Sequence, residues 1–328
     1  MNFADFQCLR EKLLRERGDV LDCAESNLYR ALARLVPPPS PVPTEIMHRC
    51  HLASEWAACF GFPTETSRRA FVSCGVRDSL TILFRHYAGR ATTVWLPADN
   101  YPVYGELARA ASPTIREFPT LPEPQWPEAA PAPGLELLVV TNPLKPLGRW
   151  LTGSDVTALE TWLARSPRRR LVLDAVYTFA TEFHPTTLQL LATQQTILLH
   201  SLTKGWLHPR LFGVTLVPES DVAALSPAFR AQAPSQPNLA RARELLACHA
   251  AMPAVVAREL AVAHERMVVA LPACLLAPAP DAAPGYFSVV SMGWEQLLED
   301  HDILGMPAAV FGSTRQDLTI LSSLRFLP

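Results

Sequence analysis

The middle of this 328-residue chain alternates apolar segments of strand length with amphipathic segments of helix length. Parallel strands need long crossovers, usually helices, so this alternation is typical of a mostly parallel sheet covered by helices on both faces. Strands are predicted at 93–96, 114–118, 135–140, 171–174, 197–200 and 211–216, and helices at 77–87, 103–111 and 154–164, the last capped by Ser154 or Gly153. The predicted fold class is therefore α/β, with a mostly parallel central sheet.

The pattern changes after about residue 218. A long helical stretch at 239–270 is followed by strands at 286–291, 308–311 and 318–326, which accompany a helix at 294–301. Helices and strands segregated in this way indicate a smaller α+β domain. We therefore predict an N-terminal helical segment at 1–46 that joins the small domain, a large domain at 47–218 and a small C-terminal domain at 219–328.

Composition excludes several classes of protein. An apolar fraction of 49% with 18% charged residues is typical of a globular chain and not of a disordered one. The formal net charge of −2 gives no basic footprint for nucleic acid, and we interpret the run from Arg168 to Arg170 as a solvated turn or helix end. No apolar run is long enough to span a membrane, and seven scattered cysteines without a C-x-x-C fit a cytoplasmic protein.

Common ligand signatures are incomplete in this chain. The glycines at 148 and 153 have the spacing of a phosphate loop, but Ser154 and Asp155 follow where lysine and serine or threonine are required. No G-x-G-x-x-G is present, which argues against a dinucleotide-binding dehydrogenase. No metal site is expected, because His48 and His51, three residues apart on a predicted helix, do not belong to a recognised metal-ligand motif.

The strongest functional signal is a lysine that follows the predicted strand at 197–200. Lys204 ends the segment His-Ser-Leu-Thr-Lys, where burial can lower the pKa of an amine and make it nucleophilic. Asp174 ends a neighbouring predicted strand. Open α/β sheets bind ligands at the carboxyl ends of strands, so the two side chains are expected to share one crevice. A Schiff-base lysine and an aspartate facing a pyridine nitrogen are the protein groups that pyridoxal phosphate uses.

The order Asp174, Tyr177, Ser201, Thr203, Lys204 resembles the fold type I pyridoxal-phosphate-dependent aminotransferases, the relatives of aspartate and histidinol-phosphate aminotransferase. In that family an aspartate, two residues and a tyrosine precede a Ser-x-Ser/Thr-Lys segment. The resemblance implies that Asp174 keeps the pyridine nitrogen protonated, that Tyr177 binds the 3′-oxygen and that Lys204 holds the cofactor. It also implies that Ser201 and Thr203 belong to the cofactor site.

Two turns upstream of Asp174 match further landmarks of this family. Gly75 separates a strand from a helix, a geometry that leaves backbone N–H groups free to bind an anion. The resemblance implies that the N–H groups of Val76 and Arg77 bind the cofactor phosphate in this turn. Tyr101 follows the next strand, at the position where the family stacks an aromatic ring on the pyridine.

The segment 142–148 matches the family's Asn-Pro-x-Asn-Pro-Thr-Gly turn at four of six specified positions. Asn142 corresponds to the first asparagine, which is structural. The second asparagine binds the 3′-oxygen of the cofactor in the family, and Lys145 stands in its place here. We expect either that the ammonium of Lys145 reaches that oxygen or that the side chain points to solvent.

Two arginines are candidates for anion binding. The family's phosphate-binding arginine usually follows the lysine by eight residues, whereas Arg210 follows Lys204 by six. We favour a shortened turn in which Arg210 still reaches the phosphate over loss of that contact. Near the C-terminus, Arg325 lies in a Leu-Arg-Phe context that resembles the family's arginine for the substrate α-carboxylate. A guanidinium can hold a carboxylate by two parallel hydrogen bonds.

Together these features predict an aminotransferase that uses pyridoxal 5′-phosphate to move an amino group between an amino acid, or a related amine, and a keto acid. A decarboxylase, a lyase or an oxidative deaminase would use the same pocket residues, so the sequence does not separate these reactions. A degenerate homologue without catalysis is a third interpretation, against which Asp174, Tyr177 and Lys204 argue. Active sites of the resembled family lie at a two-fold interface, which implies a homodimer.

Overall fold

The computed structural model of this protein describes residues 2–38, 46–88, 92–111, 114–128, 134–208, 212–232, 234–272, 275 and 286–328. Its helices are α1 (Phe3–Glu16), α2 (Leu28–Ala31), α3 (Arg49–Cys59), α4 (Val76–Ala88), α5 (Val103–Ala111), α6 (Gly153–Ala164), α7 (Pro185–Ala192), α8 (Leu202–Gly205), α9 (Glu219–Ala231), α10 (Gln236–Cys248), α11 (Met252–Ala270) and α12 (Trp294–His301). Its strands are β1 (Leu21–Asp22), β2 (Ala70–Ser73), β3 (Thr93–Pro97), β4 (Thr114–Phe118), β5 (Glu136–Thr141), β6 (Arg169–Asp174), β7 (Thr196–Ser201), β8 (Gly213–Leu216), β9 (Phe287–Val290), β10 (Ile303–Leu304), β11 (Met306–Pro307) and β12 (Thr319–Ser322). Short 3-10 segments lie at Ala33–Leu35, Thr64–Arg69, Ala308–Phe311 and Ser323–Phe326.

Seven strands form one sheet in the order β2-β8-β7-β6-β5-β3-β4. Strands β3 to β7 run parallel to one another, whereas β8 is antiparallel to both of its neighbours, β2 and β7. The register places Thr141 opposite Asp174 and Asp174 opposite Leu199, so the carboxyl ends of β5, β6 and β7 lie side by side. The predicted mostly parallel α/β sheet is confirmed.

Both faces of the sheet are buried, as the side chains of its central strand β5 show. Leu138 and Val140 pack in one apolar cluster, which also contains residues of α3 and α6. Leu137 and Val139 pack in a second cluster with residues of α4, α5 and α9. Successive strand residues point to opposite faces, so these two clusters lie on opposite sides of the sheet.

The C-terminal region holds a smaller antiparallel sheet in the order β11-β12-β9. Strand β1 pairs in parallel with β10, with Leu21 opposite Ile303, so the N-terminal segment is tied to this region. The division into units at 1–46, 47–218 and 219–328 stays a prediction.

The helical stretch predicted at 239–270 is two helices, α10 and α11, which are bent by 75° at their break. Proline stands in the first turn of α11, where its missing N–H group costs nothing, and it cannot continue the preceding helix. Among the described residues no single helix is both long and apolar enough to cross a membrane, and α10 with α11 meets that criterion only as one bent pair.

One predicted strand, the end of a second and one predicted cap are wrong. The segment predicted as a strand at 308–311 is 3-10 helix, and β12 ends at Ser322, whose hydroxyl accepts from the N–H group of Leu324 and so starts the segment Ser323–Phe326. Helix α6 is capped by Thr152 and not by Ser154 or Gly153. The Thr152 hydroxyl and the Asp155 carboxylate bond each other's backbone N–H groups in a capping box.

The interpretation of Arg168 to Arg170 as a solvated turn or helix end is confirmed for Arg168, which is exposed in a turn, and is wrong for Arg169 and Arg170. Arg169 lies on β6, is 0% exposed, and donates from Nε to Glu136 of β5 at 2.7 Å. Arg170 forms an ion pair with Asp221 of α9 at 2.7 Å. Their acidic partners lie in other elements of the fold, so sequence proximity does not show them.

Candidate active site

Neighbouring strand ends bring most of the predicted site residues to one edge of the large sheet. Asp174 is the last residue of β6, and Lys145 follows the end of β5. Ser201 ends β7 and lies opposite Gly213, which in turn lies opposite Ser73 at the end of β2. The Gly75 turn, Lys204, Asp174 and Lys145 therefore follow four strand ends on the same edge.

Lys204 is positioned by the one-turn helix α8. Ser201 caps this helix, with its hydroxyl accepting from the N–H group of Thr203 and donating to Thr203 Oγ1 at 2.9 Å. The Lys204 side chain is half-buried, and its Nζ lies 5.2 Å from the centre of the Tyr177 ring. The structure thus brings Lys204 to the tyrosine that follows Asp174.

Asp174 is buried, and each of its two carboxylate oxygens accepts a hydrogen bond from a neutral group. Its Oδ2 accepts from the Tyr104 hydroxyl at 2.6 Å, and its Oδ1 accepts from the N–H group of Val176 at 3.0 Å. Burial raises the pKa of Asp174, and the Tyr104 hydroxyl, the Val176 amide and the Lys204 charge act against this increase. No cation forms an ion pair with Asp174 among the residues that the structure describes. Its carboxylate can therefore accept a further bond from a protonated nitrogen.

Tyr104 is a site residue that the sequence analysis did not identify. Desolvation, then the charge of Asp174, raises the pKa of Tyr104 well above its usual value. Tyr177 and Tyr101 add smaller contributions to this increase in pKa, and Tyr101 itself is 49% exposed. Tyr101 lies in the turn before α5, where its carbonyl oxygen accepts from the N–H group of Tyr104 at 3.3 Å, so the short spacing of the two tyrosines is the signal that could have indicated a shared location.

Lys145 is buried beside Lys204, so the expectation that it points to solvent is wrong. Its side chain is 5% exposed, and Nζ has no hydrogen-bond partner in the described structure. Three rings surround this Nζ, with centres at 4.5 Å for Tyr177, 5.5 Å for Phe287 and 5.8 Å for Tyr286. We call these three rings the aromatic cage. Burial, and then the charge of Lys204, lowers the pKa of Lys145 to about 7.

Two residues of the turn 142–148 explain how Lys145 is held. Asn142 donates from Nδ2 to Thr187 Oγ1 at 2.8 Å and accepts at Oδ1 from the N–H group of Leu151 at 3.1 Å, so its amide is used within the fold. Gly148 has a positive φ of 74°, and a Cβ at this position would overlap the carbonyl oxygen of Phe287. Glycine therefore lets β9 approach the turn closely enough for Phe287 to reach Lys145.

The Gly75 turn lies against the start of β8. Gly75 has a φ of 111°, and a Cβ on the facing Gly213 would lie 2.7 Å from the Gly75 Cα, so the two backbones approach as only glycines allow. Helix α4 begins directly afterwards at Val76. Its first N–H groups, including those of Val76 and Arg77, have no partner within the helix and can bind an anion.

Of the two predicted arginines the structure describes Arg325, which is not brought into this group. Arg210 lies outside the described residues, so its predicted role stays a prediction. Arg325 is exposed and lies in the 3-10 segment Ser323–Phe326. Burial raises the pKa of the Cys23 thiol to about 12, and the charge of Arg325 acts against this increase. In the described part of the chain, no hydrogen bond or ion pair joins Arg325 to Lys204, Asp174 or Lys145.

The sequence matches no family model and no curated protein. The structure, in contrast, is similar to several solved aminotransferases over nearly its whole length. A double mutant of Thermus thermophilus aspartate aminotransferase superposes with a TM-score of 0.68 at 20% identity, covering 96% of this chain and 90% of that one. An aminotransferase from Mycobacterium tuberculosis gives 0.73 at 16% identity, with 98% and 91% covered.

L,L-diaminopimelate aminotransferase from Chlamydomonas reinhardtii is similar at a TM-score of 0.69 and 15% identity, with 98% of this chain and 91% of that chain covered. These three proteins share the fold of the present chain despite little sequence identity. The chain therefore has the fold of these aminotransferases, as its sequence resemblance predicted.

Proposed function

We propose that this protein is a pyridoxal-phosphate-dependent aminotransferase that acts on an amino acid or related amine. One observation carries the proposal. At a single edge of the sheet, the amine of Lys204 lies 5.2 Å from the ring of Tyr177, and the carboxylate of Asp174, three residues before that tyrosine, is buried and held by neutral groups. Pyridoxal phosphate uses such an amine at its aldehyde and such a carboxylate at its ring nitrogen.

The other groups at this edge also fit the cofactor. The open N–H groups at the start of α4, around Gly75, suit a phosphate. Lys145 Nζ is buried without an acceptor, which suits an anionic oxygen such as the 3′-oxygen of the pyridine ring. Tyr101, Ser201 and Thr203 are the further residues that we propose to line the cofactor.

When bound, pyridoxal phosphate supplies an aldehyde for the substrate amine and a ring that accepts electrons from the substrate carbon. Asp174 would hold the proton on the ring nitrogen, and the Tyr104 hydroxyl keeps the carboxylate oriented by donating to Oδ2. Lys204 Nζ would take and return the proton at the substrate α-carbon. Tyr177 would bind the 3′-oxygen, and Tyr286, which donates to the Tyr177 hydroxyl oxygen at 3.5 Å, helps to orient it.

Covalent attachment of the cofactor tests this proposal. The protein purified with pyridoxal phosphate is expected to be yellow, and borohydride is expected to fix the cofactor on Lys204 as a secondary amine that peptide mapping locates. Lys204→Met, which keeps the length of the side chain without its amine, is the matched control and should give no label at this position. A colourless protein that takes up no pyridoxal phosphate would contradict the proposal.

Product analysis then separates transamination from the other reactions of this cofactor. An aminotransferase should convert the amino acid only when an α-keto acid acceptor is present. Release of carbon dioxide or ammonia without an acceptor would instead support a decarboxylase, a lyase or an oxidative deaminase. Comparison of several amino acids in the same assay identifies the substrate.

We also propose that the active protein is a homodimer. The proposal rests on the resemblance noted in the sequence, since the family builds its sites at a two-fold interface. Sedimentation at assay concentration should give twice the monomer mass of 36.1 kDa. A catalytically active monomer would contradict it.

A further inference from the structure

Lysine is rare in this chain, and its distribution is uneven. Of 29 basic residues only three are lysines, namely Lys12, Lys145 and Lys204, and the other 26 are arginines. Lys145 and Lys204 lie at the same ring, that of Tyr177. Lysine and arginine are not interchangeable at a buried position, because an arginine stays charged whereas a lysine can lose its proton and become a nucleophile.

The surroundings of Lys145 favour the uncharged amine. The titratable groups that face its Nζ are Lys204 from α8, Tyr177 after β6 and Tyr286 before β9. No carboxylate forms an ion pair with Lys145 in the described part of the chain. Buried Arg169, in contrast, has Glu136 at 2.7 Å. Without an acceptor, the Lys145 nitrogen keeps its lone pair available inside the aromatic cage.

We propose that Lys145 is a second carbonyl-reactive amine of this site, which forms a Schiff base with a small aldehyde that reaches this edge of the sheet. The lone pair of Nζ attacks the carbonyl carbon, and the carbonyl π electrons move to oxygen. A proton passes from nitrogen to oxygen, and loss of water leaves the C=N bond. No oxidant or reductant is required.

In the proposed function Lys204 takes the aldehyde of pyridoxal phosphate and Lys145 faces the 3′-oxygen, so Lys145 is expected to react in the cofactor-free site or when Lys204 is absent. The inference rests on the proposed function only for pyridoxal phosphate as one of the aldehydes that can reach this edge of the sheet. The reactivity itself follows from the burial of Lys145, its missing acceptor and the neighbouring Lys204. A protein with two such amines would keep some covalent affinity for an aldehyde after the loss of Lys204. The two lysines can therefore be tested separately.

Reductive methylation of the full-length protein measures this reactivity directly. The protein, freed of cofactor, is treated at pH 7 with limiting formaldehyde and cyanoborohydride, and peptide mapping compares Lys145 with Lys12. Lys12 is the internal control, because its side chain is 63% exposed on α1. Lys145 is expected to be modified at least about tenfold faster, since an exposed amine is almost fully protonated at this pH. Equal or slower modification of Lys145 would overturn the inference.

A second measurement uses the aldehyde of the proposed function. In Lys204→Ala, pyridoxal phosphate followed by borohydride is expected to label Lys145, and the double variant Lys204→Ala/Lys145→Met should stay unlabelled at both positions. Labelling of Lys12 alone would contradict attack by Lys145 on this aldehyde. Wild-type protein without label at Lys204 would instead count against the proposed function, while the formaldehyde comparison would still decide the inference.

Discussion

The two ends of the neighbouring strands β5 and β6 carry buried charges in opposite situations. At the amino ends, Glu136 and Arg169 form an ion pair at 2.7 Å, and Trp95 donates to the same glutamate from Nε1 at 3.2 Å. At the carboxyl ends, Asp174 is bonded by neutral groups, and the amine of Lys145 has no hydrogen-bond partner in the described structure.

This difference separates charged groups that stabilise the fold from charged groups that can bind a ligand. The two members of a buried ion pair neutralise and hydrogen-bond each other, so the removal of one member is expected to affect mainly folding. A buried carboxylate and a buried amine that are not paired with each other can still bind a ligand. While no ligand is bound, their burial lowers the stability of the protein. The predictions below test this division, beginning with the largest expected effect.

Arg169→Met should lower the free energy of unfolding by about 3–5 kcal/mol, because the buried charge of Glu136 then loses the cation that balances it. Urea denaturation measures the change. The double variant Arg169→Met/Glu136→Gln should recover part of the loss, since the lone carboxylate is then absent. Unchanged stability of the single variant would show that the pair is not important for folding.

Asp174→Ala should lower kcat by roughly 10²–10³-fold, the range found when a group that stabilises developing charge is removed. Some cofactor should still bind through Lys204. Unfolding by urea should change far less than in Arg169→Met, because the bonds lost at Asp174 come from neutral groups. Turnover at the wild-type rate would mean that the aspartate has been assigned the wrong role.

Lys145→Met should stabilise the cofactor-free protein at pH 7 and lose this advantage as the pH rises. The pKa of Lys145 is about 7 in the folded protein, against an ordinary value of 10.5, so the unfolded chain binds more protons between these limits. Wild-type stability therefore rises with pH in this window, by about 2 kcal/mol relative to the variant between pH 7 and 9. A constant difference across this range would show that Lys145 does not titrate there.

Arg325→Lys should weaken the binding of a carboxylate substrate by about 2 kcal/mol, roughly 30-fold in KM, if the guanidinium holds the carboxylate by two bonds. The absorption spectrum of the bound cofactor should not change, because the arginine acts on substrate alone. Steady-state kinetics with an amino acid measures the effect. An unaltered KM would remove Arg325 from the site, in agreement with its exposed position.

The sequence correctly predicted those helices and strands whose bounds follow from a local pattern of apolar residues. Helix α5 and strand β4 lie at the predicted bounds, because amphipathic and apolar patterns are local properties of the chain. Lys204 and Asp174 reach the same sheet edge because parallel strands direct their carboxyl ends to one side. The segment 308–311 near the C-terminus was predicted as a strand but is a 3-10 helix. Four apolar residues are too few for their spacing to distinguish a strand from a helical turn.

The sequence by itself determined the α/β fold class, the succession of strands β3 to β8 along the chain, and the presence of a lysine and an aspartate after neighbouring strands. Only the tertiary structure decided the charge state and partners of the buried groups. Arg169 meets Glu136 across 33 positions of sequence, and Tyr104 meets Asp174 across 70. Lys145 is enclosed because Gly148 admits Phe287. Burial and electrostatic interactions depend on distance in space, so such partners become visible only when the chain is folded.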